Sequence, residues 1–406
     1  MKGWVIKRIG DIAKTQYGLS EPMNEEGKGF KIFRMGEVQG GLLIDTGRMK
    51  FANISAKEFE AYKLRRGDIL FNRTNSFELV GKTGIFLLEG DYCFASYLVR
   101  LNLDRRVVLP EFLNYLMNTD EFQESVKGKA SKSINQANIN ATILSNELIR
   151  FPEPLAEQQR IVGLLDEAFE GIATAKANAE KNLQNARALF ESHLQSVFSQ
   201  RGKGWVEKPF YELCDIKHGY AFEGEFFSNQ GEYVLLTPGN FYEQGGYRDR
   251  GEKQKYYTGP IPRDYVLNEG DLLVAMTEQA AGLLGSPILV PESDKFLHNQ
   301  RLGLVTKKPG VPWTNEFFFH VFNTQPVRKA IHSSASGVKV RHTSPTKIGD
   351  VVVAFPTSLT EQKRIVSTLA SLTQETQRLA TLYTRKLAAL EALKKSLLHQ
   401  AFSGEL

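Results

Sequence analysis

Cysteine is nearly absent from the sequence. Two residues, Cys93 and Cys214, are too few for a disulfide framework or a structural zinc site. Long apolar runs are also missing, and the longest, such as Leu272–Met276, are far too short to cross a bilayer. The N-terminal segment MKGWVIKRIGDIAK has no apolar stretch of the kind found in secretory signals. We therefore expect a soluble cytoplasmic protein without a metal site.

Motifs of common enzyme families are absent as well. The segment GKT at Gly81–Thr83 has Ser76 where a phosphate-binding loop needs glycine, and no G-x-G-x-x-G follows a predicted strand. There is no Asn-Pro-Pro-aromatic or Asp-Pro-Pro-aromatic tetrapeptide for methylating an exocyclic amine, and no G-x-S-x-G elbow. The Glu-x-Lys tripeptides at Glu26 and Glu361 lie in a glycine-rich loop and on a predicted helix, and the histidines lack metal-ligand spacing. We predict that this chain has no catalytic residue and binds no cofactor itself.

The composition is that of a folded protein with a mild positive charge. The chain has 406 residues, of which 42% are hydrophobic and 24% charged, so it should form two or three domains with proper cores. Its net charge of +5, with a pI of about 8.9, permits a nucleic-acid partner but does not require one.

The sequence repeats itself at half its length. FPEPLAEQQRIVGLL, which begins at Phe151, returns as FPTSLTEQKRIVSTL at Phe355, 204 residues later. Three more pairs match at nearly the same spacing: GWVIKRIGDI with GWVEKPFYEL, RRGDILFNRT with NEGDLLVAMT, and EFLNYLMNT with EFFFHVFNT. This period is far longer than that of solenoid repeats, so each copy can hold its own core.

Each copy begins with a globular part and ends with a long predicted helix. Short apolar runs such as GDILF alternate with glycine, asparagine and short helical patterns, which predicts an α+β (mixed α/β) fold. After Pro154 and Pro356, proline disappears and glycine becomes rare. The predicted segments are a globular domain at 1–153, a central helix at 154–200, a second globular domain at 201–356 and a C-terminal helix at 357–406.

Both predicted helices carry apolar or small residues in steps of four and three, which is typical of a coiled coil. Antiparallel pairing of the two would give a pseudo-twofold internal repeat with one globular unit at each end of a rod of roughly 65 Å. The predicted seams are Ile161, Leu165, Ala168, Ile172, Ala175, Ala179, Asn182, Ala186, Phe190, His193 and Val197 in the first helix, and Ile365, Leu369, Leu372, Thr376, Leu379, Tyr383, Lys386, Leu390, Leu393 and Leu397 in the second.

Polar loops occupy corresponding places in the two copies. The most basic is VKGKASKSINQAN (Val126–Asn138), whose counterpart is SSASGVKVRHTSP (Ser333–Pro345); FNRTNS corresponds to MTEQ, and ASYLVR to HNQRLG. Lysine neutralises phosphates, whereas Asn, Gln, Ser and Arg contact base edges, so this mixture is typical of DNA-contacting loops, although solvated loops share the composition. The candidate DNA contacts are Arg34, Asn72, Arg73, Thr74, Asn75, Lys82, Ser96, Tyr97, Lys127, Lys129, Lys132, Ser133 and Asn135 in the first copy, and His218, Tyr220, Thr277, Gln279, His298, Asn299, Gln300, Arg301, Ser336, Lys339, Arg341 and His342 in the second.

Taken together, these features resemble the DNA-specificity (HsdS) subunit of type I restriction-modification systems. The resemblance is carried by the EQ-x-RIV phrase within Pro152–Val162 and Pro356–Val366, which in each copy opens a long helix after a globular domain. The polar segment ASKSINQANI before the first phrase and the Gly-Asp turn in both copies add to it. The match covers the whole chain in order.

This resemblance implies that each globular unit is a target recognition domain for half of a split DNA sequence, with the helices as spacer and docking surface. It also implies two modification subunits that carry S-adenosylmethionine and two restriction subunits that use ATP and Mg²⁺. Two modules on one rod engage one face of a duplex near whole turns, about 34 Å apart, which predicts an asymmetric site with an unread spacer. The expected partner-docking and coiled-coil residues are Glu157, Gln158, Arg160, Ile161, Leu165, Glu361, Gln362, Arg364, Ile365 and Leu369.

Two other functions fit the same residues. A non-catalytic coiled-coil scaffold would bind proteins, rather than DNA, through its globular ends, and salt-dependent DNA affinity would separate it from a specificity subunit. An enzyme whose site matches no known motif would show nuclease or methyltransferase activity when the chain is purified alone.

Overall fold

The computed structural model describes residues 3–133, 136–278 and 282–405. They form two compact units, of which the first comprises Met1–Glu180 with Thr384–Leu406 and the second Lys181–Tyr383. The units divide both long helices, whereas the segments predicted from the sequence kept each helix whole. None of the helices in the described ranges is long and apolar enough to cross a membrane.

The first repeat alternates short strands with short helices and ends in one long helix. Its helices are α1 (Ile9–Ile12), α2 (Ala56–Tyr62), α3 (Pro110–Met117), α4 (Asp120–Gly128), α5 (Ala141–Ser145) and α6 (Leu155–Ser199). Its strands are β1 (Trp4–Arg8), β2 (Ala13–Tyr17), β3 (Met23–Asn24), β4 (Phe30–Phe33), β5 (Val38–Gln39), β6 (Leu42–Leu43), β7 (Lys50–Ala52), β8 (Ile69–Asn72), β9 (Thr74–Asn75), β10 (Thr83–Ile85), β11 (Tyr92–Phe94), β12 (Leu98–Leu103), β13 (Ser131–Ser133), β14 (Gln136–Asn138) and β15 (Leu148–Pro152).

The second repeat has the same plan. Its helices are α7 (Phe210–Leu213), α8 (Asn315–Phe322), α9 (Gln325–Ser334), α10 (Pro345–Gly349) and α11 (Leu359–Ser403). Its strands are β16 (Trp205–Pro209), β17 (Cys214–His218), β18 (Phe227–Ser228), β19 (Tyr233–Leu235), β20 (Tyr256–Tyr257), β21 (Leu272–Ala275), β22 (Thr277–Glu278), β23 (Pro287–Leu289), β24 (Phe296–Leu297), β25 (Leu302–Lys307), β26 (Arg341–His342) and β27 (Val352–Pro356). The two long helices have 45 residues each, which confirms their prediction.

The sheets of the two repeats correspond to one another. In the described part of the first unit they have the strand orders β1-β15, β2-β12-β8-β10-β6-β5, β11-β4-β7-β3 and β13-β14-β9. In the second they are β16-β27, β17-β25-β21-β23, β18-β20-β19-β24 and β22-β26. Most pairs are antiparallel, but β4 with β11, β6 with β10 and β19 with β24 are parallel. These mixed sheets with interspersed helices confirm both the predicted fold class and the internal repeat.

The first and last strands of each repeat pair with each other. Trp4 of β1 lies opposite Pro152 of β15, and Trp205 of β16 lies opposite Pro356 of β27. Because the long helix begins only a few residues after each proline, this pairing fixes the start of each helix against its own globular part.

Two equivalent glycines allow a close backbone approach beside the loop that follows β11 or β24. A Cβ atom on Gly18 would lie 2.3 Å from the carbonyl oxygen of Ala95, and one on Gly219 would lie 2.2 Å from that of Asn299. Any side chain at either position would clash with the backbone. These equivalent contacts pair Ala95 with Asn299. The correspondence of ASYLVR with HNQRLG, which paired Ala95 with His298, was therefore wrong by one residue.

Both long helices contribute to the core of each unit. In the first unit, Leu165 of α6 and Leu398 of α11 are buried in one cluster with the side chains of α3 and α4. In the second, Leu194 of α6 and Leu369 of α11 join the side chains of α8 and α9. The core of each globular part is therefore completed by one segment of α6 and one segment of α11.

Within the first unit the two helical segments run antiparallel, as predicted. The Nζ atom of Lys394 lies 5.0 Å from the ring centroid of Phe169, and that of Lys176 lies 2.5 Å from Glu391 Oε1. Residue numbers thus rise along α6 while they fall along the neighbouring segment of α11.

The buried stripe of each long helix departs from strict heptads at one equivalent place. Asn182 and Lys386 are exposed, whereas the next residues, Leu183 and Leu387, are half-buried. Leu393 is also exposed, so these three predicted seam positions were wrong. Two successive steps of four replace the alternation of four and three, which brings the stripe closer to the 3.6-residue period of a straight helix.

Candidate nucleic-acid interface

Three polar segments of the first repeat meet in the first unit. Strand β14 pairs with β9, which places Asn138 opposite Thr74. The N–H of Arg73 donates to the carbonyl of Tyr97 over 3.0 Å, and the carbonyl of Arg73 accepts from the N–H of Ile139 over 2.8 Å. The loops FNRTNS and ASYLVR and the hairpin of VKGKASKSINQAN therefore form one surface, with Arg73 between the other two segments.

This surface combines exposed aromatic rings with lysines. Tyr17, Phe77 and Tyr97 are exposed although they are aromatic. Lys132 Nζ lies 4.2 Å from the ring centroid of Phe77, and the Lys82 side chain is exposed nearby in the sequence. Such a mixture can stack on bases and neutralise phosphates.

Three predicted cations of this unit are engaged by the fold itself. Arg34 Nη2 lies 2.7 Å from Oε1 of the buried Glu37, and Lys129 Nζ lies 2.6 Å from Oε2 of the buried Glu147. Lys127 Nζ donates to a backbone carbonyl of the neighbouring loop over 3.0 Å. Because these ammonium and guanidinium groups already balance internal acceptors, they have less to offer a phosphate.

The polar side chains of the first unit differ widely in exposure. Asn72 is fully buried and donates to the carbonyl of Leu79 over 3.3 Å, so it presents no surface to a ligand. Thr74 is buried as well and accepts from Asn138 Nδ2 over 3.0 Å. Asn75 and Ser96 are half-buried and Ser133 is exposed, while Asn135 lies outside the described residues.

The second unit brings together the equivalent segments. Strand β22 pairs with β26, which places Thr277 opposite His342. The N–H of Met276 donates to the carbonyl of Arg301, and the carbonyl of Met276 accepts from the N–H of Thr343, each over 3.0 Å. These are the bonds that Arg73 makes in the first unit, so Met276 occupies the position of Arg73.

Most of the predicted contacts of the second unit lie at its surface. The exposed ones are His218, Tyr220, Gln300, Arg301, Ser336, Lys339 and His342, and Thr277 is half-buried. Asn299 is buried and its Oδ1 accepts from the N–H of Arg301 over 3.0 Å, which shapes the loop. Gln279 lies outside the described residues.

His298 belongs to the interior instead. Its side chain is fully buried, and Nε2 lies 2.9 Å from the carbonyl of Leu302. Burial lowers the pKa of the imidazole to about 4, so the ring is neutral at pH 7. A neutral, buried ring supports the fold of the loop and has no surface for a phosphate.

Glu278, which no sequence pattern singled out, organises the loops of the second unit. Its carboxylate is buried, and Oε2 accepts from the N–H groups of Gly282 and Leu284, each over 3.0 Å. Its Oε1 lies 3.3 Å from Arg341 Nη1 and 3.7 Å from His332 Nδ1. The predicted DNA contact Arg341 is thus paired internally. Glu278, which lies in β22, contacts Arg341 of β26 and His332 of α9. A glutamate within a polar run gives no sign of burial in the sequence.

The phrase at the start of each long helix anchors that helix to its globular part. Gln158 is fully buried; its Oε1 accepts from the N–H of Leu109 over 2.9 Å, and its Nε2 donates to the carbonyls of Val107 and Pro152 over 3.0 and 2.9 Å. Three bonds from one buried amide hold a loop, a strand end and the helix together.

Gln362 does the same in the second unit. Its Oε1 accepts from the N–H of Thr314 over 3.0 Å, and its Nε2 donates to the carbonyls of Pro312 and Pro356 over 2.8 and 3.0 Å. The apolar residues of both phrases, Ile161, Leu165, Ile365 and Leu369, are buried in the cores. The acidic and basic residues form surface ion pairs, Glu157 with Arg160 and Glu361 with Arg364.

Groups suited to catalysis are scarce in the described residues. No cluster of three or more His, Cys, Asp or Glu side chains there is placed to hold a metal ion. Burial raises the pKa of the Cys93 and Cys214 thiols to about 12, so both remain protonated and unreactive at neutral pH.

Two related units with the same loop arrangement, differing in the side chains they present, define a protein of two repeated modules. A family model described as the type I restriction modification DNA specificity domain matches residues 1–184 and again 202–386. The chain belongs to this family.

Curated relatives are named specificity subunits of type I restriction enzymes. The chain is 27% identical to the type I restriction enzyme EcoKI specificity subunit of Escherichia coli K12, over 48% of this chain and 41% of that subunit. It is 28% identical to the StySPI specificity subunit of Salmonella potsdam, over 50% of this chain and 43% of the relative. These alignments thus span less than half of the relatives' length.

Solved structures share the fold over the whole chain. A chain from a type I R-M system, described for its complex assembly and conformational transition, superposes with a TM-score of 0.75 at 18% identity, covering 100% of this chain and 99% of the other. The HsdS subunit from Thermoanaerobacter tengcongensis superposes with a TM-score of 0.61 at 17% identity, covering 100% and 98%.

Proposed function

We propose that this chain is the DNA-specificity subunit of a type I restriction-modification assembly and that each unit reads one half of a bipartite DNA sequence. The observation that carries the proposal is that both units hold the same arrangement of loops with different side chains at equivalent positions. Arg73 and Tyr97 of the first unit correspond to Met276 and Arg301 of the second. Equal scaffolds with unequal contact residues suit modules that read different sequences.

The remaining parts of such an assembly would be supplied by other chains. Two modification subunits would bind S-adenosylmethionine and methylate the target, and two restriction subunits would use ATP and Mg²⁺ for translocation and cleavage. This chain would contribute no catalytic residue. The long helices would set the spacer between the half-sites, and the start of each helix, after Pro154 and Ser358, would dock the modification subunits.

Co-expression with the modification subunit tests the proposal. Sequencing that detects methyladenine across the host genome should reveal one split motif with an unread spacer. Exchanging residues 204–350 for the same segment of another family member should change one half of the motif and leave the other half unchanged. Changes in both halves would contradict modular reading.

A scaffold function predicts a different result. The complex with the modification subunit would then be stable, but no methylated motif would appear and DNA affinity would not fall steeply with salt. Specificity subunits that contact several phosphates lose affinity roughly in proportion to a power of the salt concentration.

A further inference from the structure

We propose that Arg73 determines base specificity in the first unit by reading the O6 and N7 acceptors of a guanine. This inference rests on the proposed function and adds to it the identity of one base pair. It starts from the way in which the structure holds the Arg73 side chain.

The backbone of Arg73 is fixed from two sides. Its N–H and carbonyl groups bond to Tyr97 and Ile139, which belong to two different loops. The Ser96 backbone is fixed in turn, because its N–H donates to the carbonyl of Leu19 over 2.7 Å. The guanidinium group is therefore attached to a rigid junction instead of a free loop.

The guanidinium group itself is oriented by two contacts. Its Nη1 donates to the carbonyl of Ser96 over 3.3 Å, and its Cζ atom lies 4.8 Å from the ring centroid of Tyr17. The tyrosine ring is held in place because its hydroxyl accepts from the N–H of Ala141 over 3.0 Å. A flat cation fixed over a flat ring has little freedom to rotate.

One edge of the guanidinium group remains without a partner. The Nε atom is shielded from solvent and has no acceptor, and none of the described residues accepts a hydrogen bond from Nη2. Because Nε is shielded, a base can reach only the tip of the group, where Nη1 and Nη2 carry parallel N–H bonds that match guanine O6 and N7. An acceptor from the ligand at Nη2 would supply the partner that the fold does not provide.

A phosphate presents a similar pair of acceptors, but the surroundings favour a base. Phosphate contacts need charge and reach, which the exposed Lys132 supplies beside Phe77 on this surface. Arg73 is half-buried and pinned, as expected of a group that discriminates by geometry. Met276 at the equivalent position of the second unit is buried and apolar, so the guanine requirement should belong to one half-site alone.

The test compares R73A, R73K and K132A in the full chain, each assembled with the modification subunit and offered a pool of randomised duplexes. For R73A we expect the preference for G·C at one position of one half-site to fall by roughly 5- to 150-fold, the range of one bidentate arginine–guanine pair. R73K should keep the charge and recover only part of this preference. K132A, the control for lost charge, should weaken binding to all sequences alike.

Several results would overturn the inference. A wild-type motif without a required G·C pair in the half-site of the first unit would do so without any variant, and so would an unchanged preference in R73A. A uniform loss of affinity in R73A, equal to that of K132A, would make Arg73 a phosphate contact. If the wild-type complex shows no sequence preference at all, the proposed function itself fails.

Discussion

Individual polar residues in the two units divide into those that serve the fold and those left for a ligand, and burial separates them. Gln158 and Gln362 each make at least three hydrogen bonds inside the cores, and Glu278 accepts two from backbone N–H groups of the second unit. Arg73 retains unpaired donors at a surface junction. A polar side chain whose hydrogen-bonding groups are already paired within the protein supports the fold, whereas one with unpaired groups can bind a ligand.

Buried histidines make the second unit sensitive to acid. Burial lowers the pKa of His298 and of His320 to about 4, whereas an unfolded chain binds these protons near pH 6.5. Since the unfolded state protonates first, the stability is complete above pH 6.5. It should fall between pH 6.5 and 4 by up to about 1.4 kcal/mol per pH unit for each histidine.

Urea unfolding at several pH values measures this slope. In a Trp4→Phe background the remaining tryptophans, Trp205 and Trp313, both lie in the second unit and report on it. His320→Phe should remove about half of the pH dependence. An unaltered slope in that variant would show that other groups cause the acid sensitivity.

At the scale of the elements, the buried stripe of each long helix departs from a regular heptad repeat. Both stripes shift by one residue at equivalent places, at Leu183 in α6 and Leu387 in α11. Because the shift occurs at the same place in both repeats, it belongs to the repeated structure and not to one helix alone. It brings the buried positions of each 45-residue helix closer to the 3.6-residue period of an α-helix.

Substitution at neighbouring positions tests the shifted stripe. Leu387→Ala should lower the free energy of unfolding by about 1–2 kcal/mol, because half of a leucine side chain loses its packing. Lys386→Ala, the matched control, should change it by less than about 0.5 kcal/mol, as is usual for surface positions. Equal effects in urea unfolding would favour the original heptad register.

At the scale of the whole molecule, the first compact unit combines two segments that are distant in the chain. Residues 384–403 end the second repeat in the sequence but belong to the first unit. The ring of Phe402 lies 5.1 Å from that of Phe112, and at the equivalent position the ring of Phe198 lies 5.5 Å from that of Phe317. The C-terminal helix therefore contributes to the stability of the N-terminal globular part.

This exchange of helix ends leads to a paired prediction. Phe402→Ala should destabilise the first unit by about 2–4 kcal/mol, and Phe198→Ala should destabilise the second by a similar amount. Hydrogen–deuterium exchange, read from peptides of each globular part, should show faster exchange in residues 3–133 for the first variant and in residues 205–278 for the second. The reverse assignment would refute the division of the helices between the units.

The amino-acid sequence by itself determined the repeat, the mixed α/β class, the two long helices and the family. These properties follow from local periodicity and from matching segments. Neither depends on the contacts between distant parts of the chain. It also located the polar loops, because loops of like composition recur at equivalent places.

Only the tertiary structure decided which polar residues face outward. His298 and Asn72 lie in the interior, Arg341 is paired with Glu278, and the Nε atom of Arg73 is left without a partner. Each outcome depends on contacts between segments far apart in the chain. The shifted stripes and the sharing of helix ends were decided in the same way, because burial arises from packing partners that the local pattern does not contain.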